Sequence, residues 1–467
     1  MYAGILFIIL YIVFIYYKKF YVRKEKSSLP TYWPIFGMMH FVLLNRSPIH
    51  QFLTEILKQS GGTFLFKGPW FTNMDMLITS DPANVQKIFD VLGDGIFAAE
   101  SKSWENQRRT IKSLMNDTRF QEYVATTSWN KVETGLIPIL ELVSETGMEV
   151  DIQELFQRLA YDCSCILALG YDPTSLCIEL PHLPHEKAFA DLEEALLYRH
   201  ILPEIFWKLQ RWFHVGMEEK FGKGKEVIDQ FLLHFISLKQ QNFKRILDQR
   251  EDFDLLTSYM RVLAEKGGKD TLSAALTWFF WLLTTNPAEE EKIRQEILTY
   301  LPSMKELGKW KFPTRDELKT LTYLHGALCE SLRLFPPVPF QHKAPLEQDV
   351  LPSGHRINPN TKTVLSFFSM GRMESIWGKD CLEFKPERWI SESGCVKIEP
   401  SFKFATFNAG PRSCLGKEIS FVQLKIVAAA IISRFNIRVK EGHSVCPSTS
   451  VILHMKHGLM VKVSKCV

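Results

Sequence analysis

A ten-residue string near the C-terminal end carries the strongest chemical signal: Phe407-Asn-Ala-Gly410-Pro-Arg412-Ser-Cys414-Leu-Gly416. Its cysteine stands just before a helical stretch that begins near Leu415. A helix N-terminus favours negative charge, so Cys414 is expected to serve as a thiolate and to ligate a metal. Gly410 and Gly416 lack side chains and let the loop approach a flat ligand closely. Arg412 suits a carboxylate at that ligand's edge. Phe407 can shield the sulfur, and neighbouring backbone amides can tune it.

The elements that must position this loop are mostly helical. Amphipathic spacing predicts helices over 48–58, 102–115, 151–169, 218–250, 272–284, 287–301, 315–334 and 415–435. Strand-like pieces are short: 63–66, 76–79, 363–367, and an alternating pair at 450–455 and 458–463. The His457-Gly458 step between the last two reads as a hairpin turn. The fold class is therefore mainly α with a small β-sheet. No internal repeat or low-complexity tract is visible.

Of the 467 residues 46% are hydrophobic and 23% charged, with 34 Phe and 11 Trp, which suits a large core enclosing an apolar cavity. The net charge is only +4, and no basic block follows the N-terminal region, so nucleic-acid binding has little support. Nine Cys are scattered without CxxC spacing. Cys163 and Cys165 read as small buried apolar residues, and a reducing compartment is expected for the body. Residues 1–17 carry no charge and span about 25 Å as a helix. Lys18, Lys19, Arg23, Lys24 and Lys26 follow, which predicts an anchor and stop-transfer over 1–26 with the body in the cytosol. A Pro-rich hinge is expected over 27–40 and a catalytic domain over 41–467.

The Cys414 string resembles the haem-binding loop of the cytochrome P450 superfamily, FxxGxRxC. Four further strings resemble its motifs in the expected order. They are Trp104-x-x-x-Arg108, the haem-propionate helix; Gly267-Gly268-Lys269-Asp270-Thr271, the oxygen-activating helix; Glu330-x-x-Arg333; and Pro386-Glu387-Arg388-Trp389, with Trp where the family pattern has Phe. Trp104 and Arg108 share a helix face, and an indole N–H with a guanidinium suits a propionate. Glu330 and Arg333 also share a face and, with Arg388, would form a buried charge network that fixes geometry. Asp270 and Thr271 would deliver protons. The same GGKD string also reads as a turn with Asp270 or Thr271 as N-cap. The resemblance implies a cytochrome P450 fold with an N-terminal membrane anchor, and haem b held by Cys414, Trp104, Arg108, Phe407, Gly410 and Arg412. It further implies O2, electrons from NADPH-cytochrome P450 reductase, an apolar substrate, and residence in the endoplasmic reticulum membrane.

Within the superfamily, residues 66–70, 92–97, 198–203, 207–212, 407–420 and 455–460 resemble the plant branch of midchain alkane and long-chain fatty acid hydroxylases. That branch also includes enzymes that couple phenols. The implied function is hydroxylation of a long-chain aliphatic substrate, with phenol coupling as the alternative. Two places depart from the pattern. The chain runs from Gln86–Phe89 directly into Asp90–Gly93, where relatives carry an extra segment. Before Gly267 a long apolar half-helix is missing, and Glu265 and Lys266 stand in its place. Either the upstream segment slides in to rebuild the lost wall, or the chain is a damaged form that binds haem and turns over poorly.

Overall fold

The computed structural model describes residues 30, 32–33, 37–39, 49–91 except 71 and 73, 108–109, 112–113, 115–246 except 182–183, 268–301, and 313–466 except 346 and 360. Trp104, the anchor, most of the hinge, and the segment before Gly268 lie outside these residues; the first expected gap, between Phe89 and Asp90, falls within a described helix, and residues 92–107 beyond it lie outside.

In chain order the main described elements, leaving out single turns, are α1 (Ile49–Gln59), β1 (Thr63–Phe66), β2 (Met76–Thr79), α2 (Pro82–Val91), α3 (Thr118–Lys131), α4 (Ile137–Thr146), β3 (Val150–Asp151) and α5 (Ile152–Leu169). Next come α6 (Pro184–Ile201), α7 (Glu204–Phe213), α8 (Gly216–Ile246), α9 (Gly268–Thr285), α10 (Pro287–Tyr300), α11 (Arg315–Thr320) and α12 (Thr322–Leu334). The chain ends with β4 (Phe340–Lys343), β5 (Asp349–Val350), β6 (Arg356–Ile357), β7 (Lys362–Ser366), α13 (Lys417–Ile432), β8 (Phe435–Val439) and β9 (Met460–Lys465). The expected α-rich architecture with minor sheet is present.

One sheet has the order β1-β2-β7-β4, parallel at β2–β7 and antiparallel elsewhere. A second has the order β3-β9-β8. The main core lies between α5, α9, α12 and α13. Helix α13 is apolar nearly all round, with Ala428, Ala429 and Ala430 fully buried, which marks a helix enclosed on every side. On α9, Trp278 stacks on Phe335 at 4.1 Å.

Two sequence expectations need correction. The stretch 315–334 is two helices, broken at Leu321. Lys425 donates to the Leu318 carbonyl at 2.7 Å and the Leu321 carbonyl at 3.0 Å, ending α11. The Glu296 carboxylate accepts from the Tyr323 and Leu324 amides at 2.6 and 2.8 Å, starting α12. Groups freed by the break are thus satisfied by charges from elsewhere. The hairpin expected at His457-Gly458 does not form. Residues 450–455 are a loop, and β9 pairs with β8, Phe435 opposite Lys465. The Leu453 amide donates to the Pro337 carbonyl at 2.8 Å and its carbonyl accepts from Trp278 Nε1 at 2.6 Å, so its backbone is already satisfied.

Candidate active site around Cys414

The Cys loop is suspended from the core by a charge network. Glu330 and Arg333 on α12 form a bidentate pair, Nη2 to Oε1 and Nε to Oε2, both 2.8 Å. Arg388 Nε donates to Glu330 Oε1 at 3.3 Å, and Trp389 Nε1 to Oε2 at 2.8 Å. Arg333 also donates to the carbonyls of Gly371, Cys381 and Glu383. A Cβ at Gly371 would collide with the Arg333 carbonyl, so only glycine permits this approach. Beside this node, Thr406 Oγ1 donates to the Leu332 carbonyl at 3.1 Å and ties the loop to α12.

The loop itself is two single turns, Ala405–Phe407 and Gly410–Arg412. Helix α13 follows at Lys417, slightly later than expected, with Gly416 at its N-cap. The Cys414 amide donates to the Phe407 carbonyl at 2.7 Å, which folds the loop back on itself. Phe407 packs against Phe421 at 5.4 Å. Gly410 has φ +60°, and a Cβ there would meet the Phe89 carbonyl at 3.0 Å. Protein crowded around Cys414 pushes its thiol up, although the residue retains solvent access. The Gly416 amide, Arg108 and Lys417 pull the other way, with a further contribution from the Lys417 amide. The helix end favours the thiolate, but burial outweighs it here and the net shift is towards the thiol.

Arg108 Nη2 donates to the Ser413 carbonyl at 2.6 Å and reaches Ser413 Oγ at 3.3 Å. Burial pulls the Arg108 guanidinium down, and Arg412 beside it adds to that. Two cations facing one another at a cysteine are a receptor for carboxylates. A sulfur met by the Gly416 and Lys417 amides, with two guanidiniums at hand, fits haem b and its propionates.

Asp270 and Thr271 lie in the first turn of α9, so they are helical rather than capping. Asp270 is buried and Thr271 half-buried. Sequence reasoning missed Glu193 and His454, which the fold brings to Asp270. One ligating atom of each of the three lies within 4.8 Å of the others. No local pattern marks either residue. Cys163 and Cys165 are buried, as expected of apolar cysteines. Cys466 Sγ accepts from Arg294 at 2.7 Å, away from the loop.

Comparison with known proteins agrees with this arrangement. The sequence profile described as Cytochrome P450 matches residues 28–463. Alkane hydroxylase MAH1 of Arabidopsis thaliana is 38% identical over 501 aligned positions, covering 97% of this chain and 98% of that protein. The aligned stretch exceeds this chain's 467 residues, so that relative carries residues with no counterpart here. A noroxomaritidine synthase of Narcissus aff. pseudonarcissus MK-2014 is also 38% identical, over 95% of this chain and 92% of its own. Cytochrome P450 86B1 of Arabidopsis thaliana is 36% identical over 94% and 86%. The chain belongs to the cytochrome P450 family of haem-thiolate monooxygenases.

Proposed function

We propose that this monooxygenase hydroxylates a long-chain aliphatic substrate, an alkane or fatty acid, with Cys414 as the iron ligand. The observation that carries the ligand assignment is the Cys414 loop, where the Gly416 and Lys417 amides and the Arg108 and Lys417 cations act on one sulfur. Bound haem supplies dioxygen activation, using electrons delivered by NADPH-cytochrome P450 reductase. Arg108 and Arg412, with Trp104, would hold its propionates. With haem bound, Phe407 would shield one side of the sulfur. Asp270 and Thr271 hold and pass protons at the start of α9. The aliphatic substrate rests on similarity to an alkane hydroxylase. A second reading, oxidative phenol coupling, stands beside it because an equally similar relative is named as a synthase.

Residence in the endoplasmic reticulum membrane, with the body cytosolic, is part of the same proposal. Among the described residues no helix is long and apolar enough to cross a membrane, and 1–26 lie outside them. Support comes from α7, which buries none of its side chains. It exposes Ile205, Phe206, Leu209, Trp212 and Phe213 beside Lys208 and Arg211, as an interfacial helix does.

Two measurements test these readings. Cys414→Ala is expected to abolish the thiolate-type band of the ferrous carbon monoxide complex; its survival refutes the ligand. Product analysis with reductase and a panel of alkanes, fatty acids and phenols decides the substrate. Products only from phenols overturn the aliphatic reading.

A further inference from the structure

Behind Asp270, titratable side chains from three separate elements converge. Asp270 comes from α9, Glu193 from the middle of α6, and His454 from the loop before β9. His454 Nε2 stands 3.7 Å from Glu193 Oε2, with both side chains 14% exposed. Ser450 Oγ donates to the same Glu193 oxygen at 3.4 Å. Among the described residues Glu193 has no other ion-pair partner. The separation of 3.7 Å is too long for a direct hydrogen bond. One intervening water or a small side-chain shift closes it.

The imidazole is held rather than free to swing. Trp278, two turns along from Asp270 on α9, donates to the Leu453 carbonyl. The Leu453 amide is held by Pro337, and the His454 carbonyl accepts from the Ser448 amide at 2.8 Å. His454 Nδ1 is buried without a hydrogen-bond partner among the described residues. One ring nitrogen thus faces Glu193 and the other remains available to hand a proton on.

We propose that Glu193 and His454 form a proton relay that resupplies Asp270, as positioning residues for its proton delivery. The inference rests on the assignment of Asp270 made above. When Asp270 gives its proton inward, its carboxylate takes one from the His454 imidazolium. The neutral imidazole recovers a proton through the Glu193 carboxylate, which takes one from hydronium in solvent at the Ser450 edge and passes it to the ring. One proton enters for each that leaves, and no electrons move.

The test uses the full-length, haem-loaded chain with reductase, and the variants Glu193→Gln, His454→Gln and Asp270→Asn. In protein carrying isotope-labelled histidine, the His454 resonance is identified by its loss in His454→Gln. The charged groups facing it are Glu193 from α6 and Asp270 from α9. Asp270→Asn and Glu193→Gln are each expected to shift that resonance, because both carboxylates lie against the ring; a resonance unmoved by either variant overturns the relay. Glu193→Gln and His454→Gln are expected to cut product per NADPH by about tenfold and to raise the solvent isotope effect, with substrate binding unchanged. If Asp270→Asn does this while the other two do not, the relay is wrong and Asp270's own role stands. If Asp270→Asn changes neither quantity, its proton-delivery assignment falls and the relay with it. The same donors suit a divalent cation. Loss of the His454 resonance on adding equimolar Co2+, reversed by Glu193→Gln, overturns the relay in favour of a cation site.

Discussion

Glu330→Gln is the most informative perturbation of the scaffold. The carboxylate is fully buried and accepts from five donors: Arg333 Nε and Nη2, Trp389 Nε1, the Lys385 amide and Arg388 Nε. Gln keeps the shape but replaces one oxygen by an NH2 group. Turned one way, that group faces Arg333 Nε and Trp389 Nε1. Turned the other way, it faces Arg333 Nη2, Lys385 N and Arg388 Nε. At least two donors then meet a donor, and Arg333 loses its counter-charge, while Arg388 keeps Asp380 at 3.1 Å. Removing one partner of a buried pair costs about 3–5 kcal/mol. That is a large part of the roughly 5–15 kcal/mol that holds a folded domain together. The damage reaches the Cys loop through the Thr406–Leu332 bond. Urea unfolding followed by tryptophan fluorescence should show a loss near 4 kcal/mol, and the ferrous carbon monoxide band should fall sharply. A loss under about 1 kcal/mol with the full band retained would refute the view that this network holds the loop.

Three further outcomes are expected. His50 is buried against Phe340, and burial first, then Arg372, lowers its pKa to about 4. The unfolded chain binds that proton near 6.5, so stability is full above about pH 6.5 and falls towards pH 4 at about 1.4 kcal/mol per unit. His50→Phe should flatten this slope in urea titrations across that window; an unchanged slope sinks the assignment. Asn408 holds φ +58° and ψ −177°, a region that costs a residue with a side chain about 1–3 kcal/mol. Its buried Oδ1 also lacks a partner among the described residues. Asn408→Gly should raise the unfolding free energy by about 1 kcal/mol, while Asn408→Ala should not. Finally, restoring an apolar helical segment between Met260 and Gly267 should raise product formed per NADPH consumed, because a complete wall excludes water from the oxygen site. Equal coupling in the matched pair would mean that 253–263 already rebuild that wall.

Much of the site was legible in the sequence because its groups are close in the chain. The spacing of Phe407, Gly410, Arg412 and Cys414 lies within one loop, and the Glu330–Arg333 pair within one helical turn. Local geometry alone brings such residues together. Helical stretches were legible for the same reason: α5, α9 and α13 carry long apolar runs, and α10 buries Ile293 and Ile297 at helical spacing. Tertiary structure decided whatever depends on partners far along the chain. The break at Leu321 exists because Lys425 and Glu296, from other elements, satisfy the backbone groups it frees. Strand β9 pairs with β8 rather than with its near neighbour because Trp278 and Pro337 already occupy the Leu453 backbone. Glu193 and His454 lie 77 and 184 residues from Asp270 in sequence, and no periodicity links them. Their convergence follows from the packing of α6 and the C-terminal loop around α9. A hydrogen bond or charge contact depends on distance in space, which local sequence spacing specifies only within a turn or two.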